Sequence, residues 1–384
     1  MEMAMQTLIN EFHECFDQVG DPRVQGRVVH PLNSILFLMV TAVIADCDGP
    51  EEIEEFGCDR IPWLSQFADF ANGIPSHDTI GRVLSLIKPD EFQTALLAWH
   101  QQLCQRYHNE ASEQTQHIAV DGKTARGSYT NLEKSNAVHI VSAWATEHGI
   151  TLGQTEVDSK SNEITAIPEL IDFINVSNSI VTIDAIGAQK EIAKKIIDDE
   201  GDYVFAIKDN HPTLAEAIRD HFEQVHEEGL VESGVRSKKT KAKQASRKEE
   251  RFYAVCEIPD SMRELTNQWA GAKSIGQAIT SSIRHGKHTE EVRYFLSSRS
   301  PRVGEFAKCI RNHWKIESMH WILDVVFHED ASRVRTGNAV ANMSFARRFV
   351  TTLLKRDTYK RSLKGKRKKA ARNTSFLENI LFSA

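Results

Sequence analysis

Three acidic residues stand in settings from which phosphodiester chemistry could be run. Asp121 follows a short apolar run in HIAVDGKTARGS, Asp184 does the same in SIVTIDAIGAQKEIAKKI, and Glu317 lies in RNHWKIESMHWILDVVFHED. Two divalent ions roughly 3.5–4 Å apart need one bridging carboxylate and one further carboxylate each. Magnesium is hard, prefers oxygen and keeps several waters, so few protein ligands suffice. Taken singly, each residue also has a plain reading. An aspartate at a strand end is usually a solvated turn residue or a helix cap, and Glu317 could be a salt-bridged group. His313, Glu317 and His320 share one helix face, with His328 beyond, so a zinc site is conceivable; the HExxH spacing and supporting cysteines are absent. Trp314 and Trp321, seven apart, read as core packing rather than as platforms for nucleobases.

Positioning the three carboxylates takes strands and a helix. His117–Val120 reads as a short strand ending at Asp121, and Val138–Ala145 with Ile150–Val157 as a hairpin around His148-Gly149. Ile164–Ile174 reads as a helix, Ser179–Ile183 as a buried strand ending at Asp184, Gln189–Ile197 as a helix and Tyr203–Ile207 as a strand. Strands followed by helices in this order predict an α/β sheet, with both aspartates at strand ends, where such sheets place their chemistry. Residues 209–300 break the pattern with a basic run, Arg236–Arg251, and strand-like pieces at Phe252–Ile258 and Val292–Leu296; they read as an insertion. From Val303 the chain turns helical again. Residues 1–112 read as helical, with apolar periodicity at Leu32–Ile44, Ile53–Phe56 and Thr79–Leu86 and a helix start at Pro75-Ser76. Asn109–Gln116 reads as a linker, residues 355–384 as a basic tail, and the stretch 355–372 within it as loosely ordered.

The bulk numbers narrow the class. The longest apolar run, Ile35–Ala45, is about half a membrane span, so no membrane association is expected. Six scattered cysteines without a CxxC pair suit reduced thiols and a cytoplasmic location. A net charge of −6 hides an asymmetry: residues 1–110 carry −11, whereas from Arg333 onward 14 bases meet only Asp357 and Glu378. That imbalance points to an acidic partner for the C-terminal part, and clustered Lys and Arg are the usual source of DNA affinity. The acidic N-terminal part argues against a non-specific DNA clamp there.

The chain resembles the DDE transposases of the H-repeat-associated insertion-sequence group. The resemblance runs nearly end to end, on DPRVQGRVVHPLNSILFLMVTAVIADCDGPEEIEEFG, NGIPSHDTIGRVLSLIKP, AVDGKTARGS, VTIDAIGAQKEIA, YVFAIKDNHP and HWKIESMHWILDVVFHEDASRVRTGNAVANMS. It implies an all-helical N-terminal domain (1–112), a ribonuclease H-like α/β catalytic domain (113–354) with a β-rich insertion at about 209–300, and the tail. It further implies Asp121, Asp184 and Glu317 as catalytic residues holding two Mg2+ ions, with Mn2+ as a substitute. The partner would be double-stranded DNA, as element ends and as target, bound by a homodimer or larger assembly near the nucleoid. Lys123, Arg126, Lys208, His313, Lys366, Arg367, Lys368 and Lys369 are the candidate DNA contacts. Two departures stand out. Where related transposases set a Tyr, an Arg and a Lys around the glutamate, this chain has Ile310, His313 and Asp324; KDNH at Lys208–His211 replaces an expected Gly and Gln, which puts Asn210 and His211 in doubt as DNA contacts. The competing readings are a ribonuclease H-like nuclease that cuts without joining, and an immobile or domesticated remnant that only binds DNA.

Overall fold

The computed structural model describes residues 2–24, 26–105, 115–128, 137–147, 149–157, 163–230, 233–244, 247–284 and 286–382. The expected linker at 109–116 and His148 fall mostly outside these. Five helices open the chain: α1 (Glu2–Phe16), α2 (Leu32–Ile44), α3 (Pro50–Leu64), α4 (His77–Leu86) and α5 (Pro89–Gln105). Helix α2 is apolar on all sides because it is buried on all sides. Helix α4 starts where Ser76 caps it, its hydroxyl accepting from the Thr79 N–H.

The sheet follows: β1 (Gln116–Ala125), β2 (Val138–Ala145), β3 (Ile150–Val157), α6 (Glu163–Phe173), β4 (Ser179–Ile183), α7 (Lys190–Asp198), β5 (Asp202–Ile207) and α8 (Pro212–Glu228). The insertion then contributes β6 (Arg236–Gln244), β7 (Arg247–Glu257), a one-turn α9 (Arg263–Thr266), β8 (Ser274–Arg284) and β9 (Lys287–Ser297). Strand order is β3-β2-β1-β4-β5-β9-β8-β7-β6. The first five strands form the α/β sheet, with β4 and β5 parallel to β1. The insertion is an antiparallel meander that joins the β5 edge through β9. The basic run at Arg236–Arg251 is therefore the β6–β7 hairpin.

Helices α6, α7 and α8 cover one face of the sheet. The long helix α10 (Val303–Val326) covers the other, packing against β1 through Ile316, Met319 and Leu323 and against β4 and β5 through Phe306, Ala307 and Ile310. The chain closes with α11 (Ala339–Arg356), α12 (Leu363–Ala370) and α13 (Thr374–Phe382). These three pack into the same core as α1–α5, so that core crosses the boundary expected at 354. The loosely ordered tail is corrected accordingly: Phe376, Leu377, Ile380 and Leu381 of α13 are buried and hold it down. The arrangement of a helical N-terminal region and a mixed α/β sheet is that of the ribonuclease H-like class.

Candidate active site

Asp121 is not at the end of its strand. β1 pairs with β4 only as far as Val120↔Ile183, but stays paired with β2 to Ala125. The expectation of a strand stopping at Asp121 missed this because one partner ends and the other does not. Continued by one residue, the parallel register sets Asp121 level with Asp184, on strands about 4.8 Å apart. Alternation sends Ala119, Asp121 and Lys123 to one face of β1, and Ala119 shows which: it packs against Ile316, Met319 and Leu323 of α10.

Contacts along α10 fix where Glu317 stands. Asn312 Nδ2 meets His117 Nδ1 at 3.0 Å, His313 Nδ1 meets the Thr182 hydroxyl of β4 at 3.0 Å, and His320 Nδ1 lies 3.7 Å from Asp121. Further on, Lys123 Nζ reaches Asp324 at 2.8 Å. Helix α10 thus runs along β1 in the same direction, and Glu317 sits between the residues anchored to β4 and to Asp121.

The charges that act on Asp121 are of one sign. The Asp121 carboxyl is raised to about 7, by burial first and then by the carboxylates Asp184, Glu163 and Glu317, against the Gly122 N–H that donates to it. Burial also raises Asp184 and Glu317. Burial drives His320 down to about 3 and His313 to about 4, so both imidazoles are neutral and neither supplies the missing positive charge. Among the described residues, no three His, Cys, Asp or Glu side chains are already close enough to hold a metal ion. Asp121 feels the charges of Asp184, Glu163 and Glu317, but these carboxylates do not meet at a common point. Oxygen donors that repel one another in a half-buried site suit a hard divalent cation, and the residues present fit such a group.

Glu163 was missed from the sequence. It opens α6, accepts from His139 Nε2 at 2.6 Å, and acts on both Asp121 and Asp184. A Cβ at Gly122 would collide with both Glu163 and His139, which is why glycine follows Asp121. The usable signal was that glycine beside a strand acid. Asn210 and His211 also find their place: both donate or point to carbonyls of the turn after Asp184, His211 Nε2 lying 2.7 Å from the Ala188 oxygen.

Several expected DNA contacts are corrected. Lys123 is buried, its ammonium shared by Asp324, Glu329 and Asp330 at 2.8–3.1 Å, and so is unavailable to phosphate. His313 is a neutral anchor for α10. Lys366 donates to the Leu354 carbonyl and pairs with Asp357 at 3.0 Å. Arg367 is fully buried, with Asp46, Asp48 and the Val43 carbonyl as partners and its guanidinium over Phe327. Lys369 lies over Tyr359 and Phe376. Arg126, Lys208 and Lys368 remain exposed. Trp314 and Trp321 are not core residues either; 38% and 60% of their surface is open to solvent.

Residues 112–353 match the model of the transposase DDE domain, and residues 13–100 match a DDE_Tnp_1-associated model. This chain belongs to the DDE transposase family. It is 40% identical to the "Putative transposase YncI" of Escherichia coli O157:H7 over 99% of its own length and 96% of that protein. It is 39% identical to the "H repeat-associated putative transposase YhhI" of E. coli K12 over 94% of its length and 95% of that protein. A shorter match, 51% identity over 17% of this chain and 77% of the relative, is to the "Inactive transposase YbfQ" of E. coli K12. A divalent metal is the general requirement of DDE enzymes, and no described helix is long and apolar enough to cross a membrane.

Proposed function

We propose that this protein is a DNA transposase that cuts the ends of its element and joins the freed 3′-hydroxyl to target DNA, with Asp121, Asp184 and Glu317 holding two Mg2+ ions, or Mn2+ in their place. The observation that carries the reading is the level register of Asp121 and Asp184 beneath the stretch of α10 that bears Glu317. Bound there, the ions would lower the pKa of an attacking water and stabilise the leaving oxygen. The chain's own residues do the rest. Asp121 must give up a proton to act as a ligand, His313 and His320 hold α10 at its height over the sheet, and Glu163 adds negative charge beside both aspartates. Lys208, just after β5, and Arg126, just after β1, are exposed and can neutralise phosphates. Two ends must be paired, so the working form is at least a dimer, acting on cytoplasmic, nucleoid-associated DNA.

The test uses the purified chain with duplex DNA carrying the inverted repeats that flank its gene, in Mg2+ and in Mn2+. The expected result is 3′-hydroxyl nicks at the ends and joined products, both lost in Asp121→Asn, Asp184→Asn and Glu317→Gln. Nicks without joining, even from pre-cleaved ends, would make it a nuclease. Binding with neither product would make it a DNA-binding remnant.

A further inference from the structure

We propose that Asn210 and His211 are positioning residues for the metal-dependent reaction: they hold the turn that holds Asp184, and His211 ties that turn to the insertion. This rests on the reading of Asp184 as a metal ligand and adds to it what keeps that ligand in place. β4 ends at Ile183, and the chain passes through residues 184–189 before α7 begins at Lys190. Inside that turn the Gly187 N–H donates to Asp184 Oδ1 at 3.3 Å, and the Ile186 N–H donates to the same carboxyl. Two donors from neighbouring residues fix how the carboxyl is rotated, provided the turn itself stays still. Packing holds one side of it. A Cβ at Gly187 would lie 2.4 Å from Ile183 and 2.6 Å from Ile167, so the backbone there already rests on the core.

The carbonyls of the turn are held by KDNH, the segment just after β5. Asn210 Nδ2 donates to the Ala185 carbonyl and, at 3.4 Å, to that of Ala188, which also meets His211 Nε2 at 2.7 Å. A carbonyl only accepts, so Nε2 of His211 carries the proton. The turn thus gives its N–H groups to Asp184 and its oxygens to Asn210 and His211. His211 is placed in turn by the insertion. Its ring meets Trp269 edge to face, with centroids 4.9 Å apart and planes at 76°, and Trp269 is buried against Phe205 of β5. Gln268, the residue before it, accepts from Lys190 at the start of α7. The connection between α9 and β8 therefore reaches the Asp184 turn twice, at the residue where α7 begins and, through His211, at Ala188. Ligand carboxylates depend on such outer partners for their orientation, and removing one costs about 10- to 100-fold in metal affinity or activity.

The experiment titrates the full-length protein with Mn2+ alone, without DNA, and reads bound metal by calorimetry, while the Tm in chelator checks that each variant is folded at the titration temperature. His211→Phe keeps a ring against Trp269 and removes the Nε2 donor; Asn210→Leu keeps the shape and removes the amide. Each should weaken Mn2+ binding by about 10- to 100-fold, whereas His211→Gln, whose amide can donate to a carbonyl and is the residue type expected in this segment, should stay within about threefold of the unaltered chain. Unchanged affinity in His211→Phe and Asn210→Leu would reduce the two residues to fasteners of the β5–α8 connection. A loss in His211→Gln as deep as in His211→Phe would mean that the donated hydrogen bond is not what matters; either result overturns the proposal. Asp184→Asn is the reference. If it binds Mn2+ as well as the unaltered chain, or the unaltered chain binds none, the metal reading of Asp184 falls and this proposal with it. That pattern is distinct from binding that depends on Asp184 and is indifferent to Asn210 and His211, which overturns this proposal alone.

Discussion

Asp121 carries a large electrostatic penalty at the candidate site, and the sign of that penalty is testable. Its folded value of about 7 lies well above its ordinary 3.8, so folding favours the protonated form. The stability it contributes is full below about pH 4 and is lost as the pH rises through 7. Asp121→Asn removes the penalty, so the metal-free variant should gain on the wild type by about 1–4 kcal/mol at pH 8 and by less at pH 5. Thermal unfolding at the two pH values reads this directly; an equal gain at both would show that the burial is not felt. In the same experiment Mg2+ should raise the wild-type Tm at pH 8 and leave the variant's unmoved. Glu317 and Asp324, two helical turns apart, are separated by their partners. Asp324 is committed to Lys123, which also holds Glu329 and Asp330. Glu317→Gln should abolish cleavage and keep DNA binding and Tm. Asp324→Asn should keep cleavage and cost about 1–3 kcal/mol, the penalty for under-satisfying a buried charge. The reverse pattern would make Asp324 the third ligand.

At the scale of elements, the site depends on the height of α10 above the sheet. Near its start Phe306 lies against Gly276 of β8, where a Cβ would run into the ring. Gly276→Val should therefore lift this end of the helix, costing about 1–3 kcal/mol as overpacking does. It should also slow cleavage beyond what the lost stability explains, because Glu317 rides on the same helix. Gly304→Ala, in the first turn of α10 with open space at its Cβ, is the control and should leave both quantities unchanged. Matching losses of activity and stability in Gly276→Val would detach the height of the helix from the chemistry.

Across the whole molecule the two ends of the chain form one helical core. Helices α11 and α13 supply Phe345, Phe349, Leu353, Phe376 and Leu381 to the cluster that holds Phe12, Phe37 and Trp99. Arg367 ties α12 to the α2–α3 junction through Asp46 and Asp48. Had residues 355–384 been a solvated tail, a chain ending at Leu354 would only bind DNA less tightly. It should instead lose its cooperative unfolding transition or fall by many degrees in Tm, since breaking a buried ion pair alone costs about 3–5 kcal/mol. A Tm within about 2 °C of the full chain, on a protein of this size, would return the segment to the status of a tail.

What the sequence determined by itself was what neighbouring residues decide among themselves. The period of Leu32–Ile44 marks α2 end to end, Ser76 marks the start of α4, and the β-rich runs on either side of His148-Gly149 match β2 and β3 residue for residue. Asp184 was legible because a strand end is a local event, and the α/β order of the sheet followed from the alternation of elements. What the tertiary structure decided was where each charge and each ring ends up, because a lysine or a tryptophan carries no local mark of its partner. Lys123 looks like a phosphate ligand until Asp324 and Glu329, some 200 residues away, enclose it. Arg367 looks like part of a basic run until Asp46 and Asp48 are brought to it across more than 300 residues. Trp321 looks like core until α10 is laid on the sheet by its other side, leaving the indole open to solvent. Periodicity assigns a residue to a face of its element, but only the packing of elements decides whether that face meets a core, a buried counter-charge or open water.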